Sequence, residues 1–447
     1  MLTTSDPRTT GVNPCYACPS LGAAYLVTGI PGGIPLIHGP QSCCGFIRYL
    51  LTRHFSELRG IKALADEDAE VFGGRRSIAK SVRNLVKRYN PSFIGIISTC
   101  LSGTTGDDIE GSVRQVKAEF SGETTEILLL KITNHSGSHT GGYDTACRAA
   151  LQHLVKSPGK TNGRVNLIPG IINPGDIREV KRMMNAMGVP FTVLFDFPPA
   201  LIAPPESGTA PLSNGRTPLA DLADALNASG TVALCGHAGG AAAAYLYREF
   251  RVPGLYGPLP VGIESTDRFL ENVLKLSRAD KPAALNNERS RLERAVADAI
   301  AYTTGKKVAL TADSDLLLSM TRFVCELKME PTVVMSSSPS AVFTLKINEV
   351  AAEFGVSPVV ITGSDLTRFE ATVKDTGADV VFGPSYTAGI ANEAGLSLVR
   401  IGFPIYDQPS CHRWPILGYK GGLRLLDLIV GAVSVNNQNT CTGPGAR

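Results

Sequence analysis

Short apolar runs bounded by Gly, Pro, Asn and Ser recur along the chain and alternate with longer stretches of helical spacing. In the first third, residues 34–37, 93–97 and 126–130 predict buried strands. Between them, residues 77–89 set Ile78, Val82, Leu85 and Val86 on one helical face and stop before Asn90-Pro91, and 145–155 reads as another helix. A second series begins with the strand at 165–168. It continues through a helix with an acidic start at 176–187, strands at 191–195 and 231–235, and an Ala-rich helix at 239–250. A long helix at 287–304 leads to a third series: strands at 307–311, 331–335, 358–361 and 380–383, with a helix at 314–327. Strands apolar at every position, alternating with helices, predict parallel sheets covered on both faces. The expected fold class is therefore α/β, as three Rossmann-like, doubly wound parallel-sheet domains at 1–160, 161–305 and 306–447, the last ending in a C-terminal helix. The Pro, Gly, Ser and Asn cluster at 157–163 marks the first boundary, and 198–218 is expected to be a long surface loop.

Composition narrows the function classes. The 447 residues are 43% hydrophobic and 19% charged, enough apolar material for more than one core. A net charge of +3 is too small to argue for nucleic acid. Residues 1–11 are polar and carry no secretory apolar segment, and no apolar run approaches the ~18 residues of a membrane span. Ten cysteines in such a chain fit reduced cytoplasmic thiols better than a disulfide framework. The basic run at 75–88 is broken by apolar residues and reads as a solvated helix face. Gly159-Lys160-Thr161 is not a phosphate loop, because Leu154 stands where the first Gly is required. No other such loop is present, so ATP hydrolysis by this chain alone is not expected.

The candidate chemistry lies in cysteines at element ends. The strand at 34–37 runs into His38-Gly39-Pro40-Gln41-Ser42-Cys43-Cys44, then into a helical segment expected to carry Phe46, Ile47, Leu50 and Leu51 on one side. Cys43 thus sits where backbone N–H groups and the helix dipole favour a thiolate. Upstream, Cys18 precedes Pro19, a residue suited to a first helical turn; downstream, Cys100 follows the strand at 93–97. Three such thiols could meet at one metal, although no paired C-x-x-C zinc pattern is completed and buried packing cysteines are the plain alternative. Cys235-Gly236-His237 reads as a strand-end core cysteine.

Several segments taken in order resemble nitrogenase component 1, its β-type subunit more than its α-type. They are Cys18-Pro19-Ser20-Leu21-Gly22-Ala23, His38-Gly39-Pro40-Gln41-Ser42-Cys43, Arg53-His54-Phe55, Val71-Phe72-Gly73-Gly74 and Ser98-Thr99-Cys100 with Gly106-Asp107-Asp108. Gly137-Ser138-His139 with Gly142-Tyr143-Asp144, and Arg400 to Asp407 with His412 and Gly418-Tyr419, support the choice. The resemblance implies that Cys18, Cys43 and Cys100 ligate an iron–sulfur cluster, of the 8Fe–7S or 4Fe–4S kind, shared with an α-type subunit in an α2β2 assembly. It also implies a separate ATP-dependent iron–sulfur reductase as electron donor, and a catalytic metallocluster on the partner rather than on this chain. His38, Gln41 and Ser136 are expected to shape the surroundings of the cluster. Cys15 and Cys44 are expected to pack, since adjacent helical residues point about 100° apart. His54 and His139 read as structural, and Cys411-His412 as part of the β-type motif. Asn134 replaces a redox-linked Ser of the molybdenum enzyme, and the long N-terminal extension of that enzyme's β subunit is missing. These departures point to a nitrogenase-like reductase of the methylthio-alkane type. The cofactor-assembly scaffold and a dinitrogen-reducing enzyme are the other readings.

Overall fold

The computed structural model describes residues 17–55, 64–65, 74–100, 108–120, 124–132, 137–197, 216–277, 279–408 and 411–441. Strands β1 (Gly33–His38), β2 (Leu64–Ala65), β3 (Phe93–Ser98) and β4 (Glu126–Leu130) form a parallel sheet in the order β2-β1-β3-β4. The helices of this segment are α1 (Pro19–Thr28), α2 (Gln41–His54), α3 (Gly74–Tyr89), α4 (Ile109–Glu119) and α5 (His139–Leu154). Residues alternate across each strand, so Ile34, Leu36, Ile94, Ile96 and Ile127 share one face. There they bury Ile78, Val82 and Leu85 of α3 and Val113 and Val116 of α4. Each such side chain contributes about 1.5–3 kcal/mol by leaving water. Helix α1 packs beside β1 and β3, so close that a Cβ on Gly95 would stand 2.5 Å from Val27 Cγ2. The expected solvated face of α3 is present: exposed Arg83 holds Glu119 of α4 through both guanidinium branches, at 2.5 and 2.8 Å.

A second parallel sheet, ordered β6-β5-β7-β8, is built from β5 (Val165–Ile168), β6 (Phe191–Val193), β7 (Gly230–Ala233) and β8 (Gly254–Tyr256). Helices α6 (Pro174–Ala186), α7 (Leu219–Ala223) and α8 (Gly240–Phe250) lie among these strands in sequence, and Asp144 of α5 caps α8 by accepting from the N–H groups of Gly239 and Ala241. The third sheet has five parallel strands, β9 (Lys307–Ala312), β10 (Glu330–Ser336), β11 (Val359–Thr362), β12 (Val380–Gly383) and β13 (Ser397–Arg400), in the order β11-β10-β9-β12-β13. Helices α9 (Glu264–Ser277) and α10 (Ala283–Thr303) precede it. The helices α11 (Ser314–Glu326), α12 (Ala341–Phe354), α13 (Leu366–Thr376) and α14 (Ala388–Glu393) connect its strands, and α15 (Gly418–Cys441) follows.

Of the described residues, 17–174 with 189–256 form one compact unit and 175–188 with 257–441 another. Within the latter, α11 presents two charged groups to α9. Arg322 is nearly buried and holds Glu353 at 2.8 and 2.7 Å and also Glu264. Glu326 accepts from the N–H groups of Ile263 and Glu264, at 3.0 and 3.2 Å, at the head of α9.

One expectation fails. Phe46 does not join Ile47, Leu50 and Leu51 on the buried side of α2; it is 47% exposed. Cys44, Ile47, Leu51 and His54 recur at helical spacing and face inward. Phe46 lies about 100° off that stripe and falls with Tyr49, also 47% exposed. Most of the anticipated surface loop, residues 198–215, lies outside the described residues.

Candidate functional site

The order β2-β1-β3-β4 reverses direction between β1 and β3, and in open α/β sheets ligands gather beyond the carboxyl ends of strands at such a point. His38 and Ser98, the last residues of these strands, are register partners. Cys43 lies beyond His38 in the first turn of α2, and Cys100 lies just past Ser98. Beyond β1 the chain passes against Thr99: Gly39 has φ +155°, and a Cβ there would stand 2.1 Å from Thr99 Oγ1. Only glycine permits that path. Thr99 Oγ1 donates to the carbonyl of His38 at 3.1 Å, and His38 itself is buried. Pro40 then caps α2, Gln41 is its exposed first residue, and Cys43 lies half-exposed in the first turn, its N–H bonded to Pro40 O at 3.0 Å.

Cys18 reaches the same rim from another element. It is the N-cap residue of α1, with Pro19 at the first helical position as its missing N–H allows. Ser20 Oγ donates to Ser98 O at 3.2 Å, tying the head of α1 to the end of β3. Ser98 Oγ in turn donates to Ile132 O at 3.1 Å and accepts from Ile132 N–H at 2.9 Å, drawing in the end of β4. Helix α5 fixes α1 from behind. His139 N–H donates to Ala17 O at 2.9 Å, a Cβ on Gly22 would lie 1.9 Å from His139 O, and one on Gly142 would lie 1.9 Å from Pro19 O. The two helices touch backbone to backbone at these glycines.

The thiols differ in setting. Burial pushes the Cys18 thiol up, and the amide groups of Leu21 and Ser20 at the helix head oppose it; Cys100 is near enough to add a smaller upward push. N–H groups aimed at sulfur in a desolvated place suit a thiolate whose charge a cation offsets. Cys100 is exposed, just past the end of β3. Cys44 points away from the rim: it is 5% exposed, and burial raises its thiol against the opposing charge of Arg48. Among the described residues, no three His, Cys, Asp or Glu side chains are grouped to hold a single metal ion.

Other candidates resolve as packing. His54 Nε2 bonds Asn173 Oδ1 at 2.9 Å and its ring meets Phe55 edge-on. His139 is fully buried. Cys235 is buried with its sulfur 3.6 Å from Pro169 O. Cys411 Sγ contacts Gln408 Oε1 at 3.2 Å, and burial, with Arg413 and Arg178, holds His412 below the ordinary imidazole range. Cys15, Asn134 and Ser136 lie outside the described residues. Phe46 and Tyr49, which the sequence did not place beside Cys43, each follow the previous member of the series Cys43, Phe46, Tyr49 by three positions. That spacing puts them on the uncovered face of α2 beside the thiol.

The family profile for nitrogenase component 1 type oxidoreductases matches residues 18–434. The chain belongs to that family. It is 36% identical to the nitrogenase molybdenum-iron protein beta chain of Methanococcus maripaludis over 95% of both chains. It is also 35% identical to the nitrogenase vanadium-iron protein beta chain of Trichormus variabilis, over 94% of each. A solved structure of nitrogenase Cp1 at pH 6.5 superposes with a TM-score of 0.93 at 31% identity, covering 100% of this chain and 98% of that one. The expected component 1 family, its β-type character and its parallel α/β fold are therefore met, and the chain is a β-type subunit of a nitrogenase-like oxidoreductase. None of the described helices is long and apolar enough to cross a membrane.

Proposed function

We propose that Cys18, Cys43 and Cys100 are this chain's share of the ligands to an iron–sulfur cluster lying between it and an α-type subunit. The observation that carries the reading is the convergence of three element ends, α1, β1 and β3, on one hydroxyl-tied rim with a thiol at each. The donor set fits: soft thiolates, with helix-head N–H groups at Cys18, suit iron–sulfur ligation. The half-exposed Cys43 and exposed Cys100, beside Phe46 and Tyr49, leave room for a partner to supply the remaining ligands and cover the apolar face.

When bound, such a cluster supplies single-electron transfer. The residues here would position it: Gly39 lets the chain turn, Thr99 and Ser98 hold the strand ends together, and Gly22 with Gly142 seats the helix that carries Cys18. Electrons from an ATP-dependent iron–sulfur reductase would leave for a metallocluster on the α-type partner of an α2β2 assembly. The test is iron, sulfide and reduced-state EPR of the anoxic complex; zinc at about one per chain without iron would refute the reading.

For the substrate, Asn134 in place of the redox-linked Ser speaks against a standard molybdenum enzyme and the three retained thiols speak for an electron relay, and the reading is reductive cleavage of a methylthio-alkane: R–S–CH3 with two electrons and two protons gives R–H and methanethiol. The second reading, dinitrogen reduction, is favoured by the naming of the relatives as nitrogenase beta chains. Methanethiol released from a methylthio-alkane, against labelled ammonium formed from labelled dinitrogen, separates the two. A complex that does neither while releasing a cofactor to an apo-enzyme is a scaffold.

A further inference from the structure

Beside β4, the edge strand of the first sheet, α4 and α5 wall a cavity of about 460 Å³. That volume lies within the roughly 300–1,000 Å³ of small-molecule sites. The walls are helical stripes: Glu110, Val113, Arg114 and Lys117 recur on α4, and Thr145, Arg148, Ala149 and Gln152 on α5, each at the spacing of one face. Strand β4 adds Leu129, and Lys131 follows it. Four cations thus meet one carboxylate. Glu110 is engaged by Lys131 and, at 3.8 Å, by Arg114. Lys117 and Arg148 form no hydrogen bond or ion pair among the described residues, although Glu126, bonded to His153, acts on Lys117 from a distance. Desolvation lowers the Lys117 pKa and outweighs the opposing pull of Glu126, the mark of an ammonium half-withdrawn from water.

We propose that this pocket binds a small organic polyanion carrying two or three negative charges on phosphate or carboxylate groups. Lys117 and Arg148 would grip the charged groups, and Val113, Leu129 and Ala149 would carry the apolar part. A single chloride would leave most of the volume and the apolar floor unused. Arg148 supplies the planar donor pair that phosphate and carboxylate share as a preferred partner.

The test is calorimetric titration of the anoxic complex, with its partner subunit in place, using pyrophosphate, ADP and citrate in turn at about 0.02 M ionic strength. One of the three is expected to bind once per chain with Kd below about 1 mM, weakening as salt is raised to about 0.15 M. Preference for the phosphates or for citrate identifies the source of the charge. Arg148→Gln and the double change Lys117→Gln with Arg148→Gln should raise Kd by about tenfold or more. Neither side chain forms a hydrogen bond or ion pair among the described residues, and the charges that act on them do so at a distance, so the unfolding midpoint without ligand should move little. The proposal is overturned if none of the three probes binds below about 1 mM, or if the variants bind as tightly as the parent.

Discussion

Replacing Gly22 by Ala puts a methyl group where the backbone of α5 already stands. The added Cβ would lie 1.9 Å from His139 O, 2.6 Å from Tyr143 N and 2.9 Å from His139 C, all main-chain atoms that cannot rotate away. Reaching ordinary contact at 3.4 Å requires α1 and α5 to separate by about 1.5 Å. Because Leu21, Ala23 and Leu26 on α1 are fully or almost fully buried, that shift opens gaps around neighbours that now fit. We expect a loss of about 3 kcal/mol, the upper part of the range for overpacking a core. The same movement carries Cys18 off the rim, since Ser20 would lose its 3.2 Å bond to Ser98 O. Urea unfolding and iron content of the anoxic complex measure the two effects, with Gly431→Ala as control. Gly431 lies exposed on α15 with nothing within 4 Å of its added Cβ, and that change should stabilise by about 0.5–1 kcal/mol. A Gly22→Ala protein as stable as its parent and fully loaded with iron would refute the argument that this contact seats the ligand helix.

Cys18→Ala, Cys43→Ala and Cys100→Ala should each abolish or transform the reduced-state EPR signal, whereas Cys44→Ala should keep it and cost on the order of 1 kcal/mol; the reverse pattern for Cys43 and Cys44 would shift the ligand register by one. Burial raises the Glu326 carboxyl to about 7 from an ordinary 4.5, against the opposing N–H groups of Ile263 and Glu264. The folded state therefore holds a proton that the unfolded state has released, so this contribution is complete below pH 4.5 and is lost as pH rises through about 7. Glu326→Gln should flatten that fall by on the order of 3 kcal/mol, read from urea unfolding at pH values on either side; parallel curves for parent and variant would contradict it. Without a phosphate loop, the isolated chain should not hydrolyse ATP, and turnover abolished by a point change within it would overturn that expectation.

The strands were legible because parallel sheets buried on both faces demand uninterrupted apolar runs, as at Phe93–Ser98 and Val380–Gly383. Short strands escaped: β8 is three residues bearing a Gly, and β13 opens on Ser, so neither makes an apolar run. The positions of Cys43 and Cys100 at strand ends were also readable, because the signal is local. What could not be read is pairing across the chain. Gly22 and Gly142 each stand in a motif, but the reason for each is the backbone opposite the other. Phe46 misled for a related reason: its apolarity favours burial, but its position on α2 sets it about 100° off the buried stripe.

The hydroxyl ties among Ser20, Ser98 and Thr99 have a thermodynamic consequence. They order the three thiol-bearing ends when the chain folds, so little conformational entropy remains to be lost when metal arrives. A group bound there adds to resistance to unfolding by as much as its affinity for the folded rim exceeds its affinity for the same thiols in the unfolded chain. Occupancy of the rim and stability of the first sheet are thus two readings of one equilibrium, and a change that loosens α5 should weaken metal retention even though it touches no sulfur.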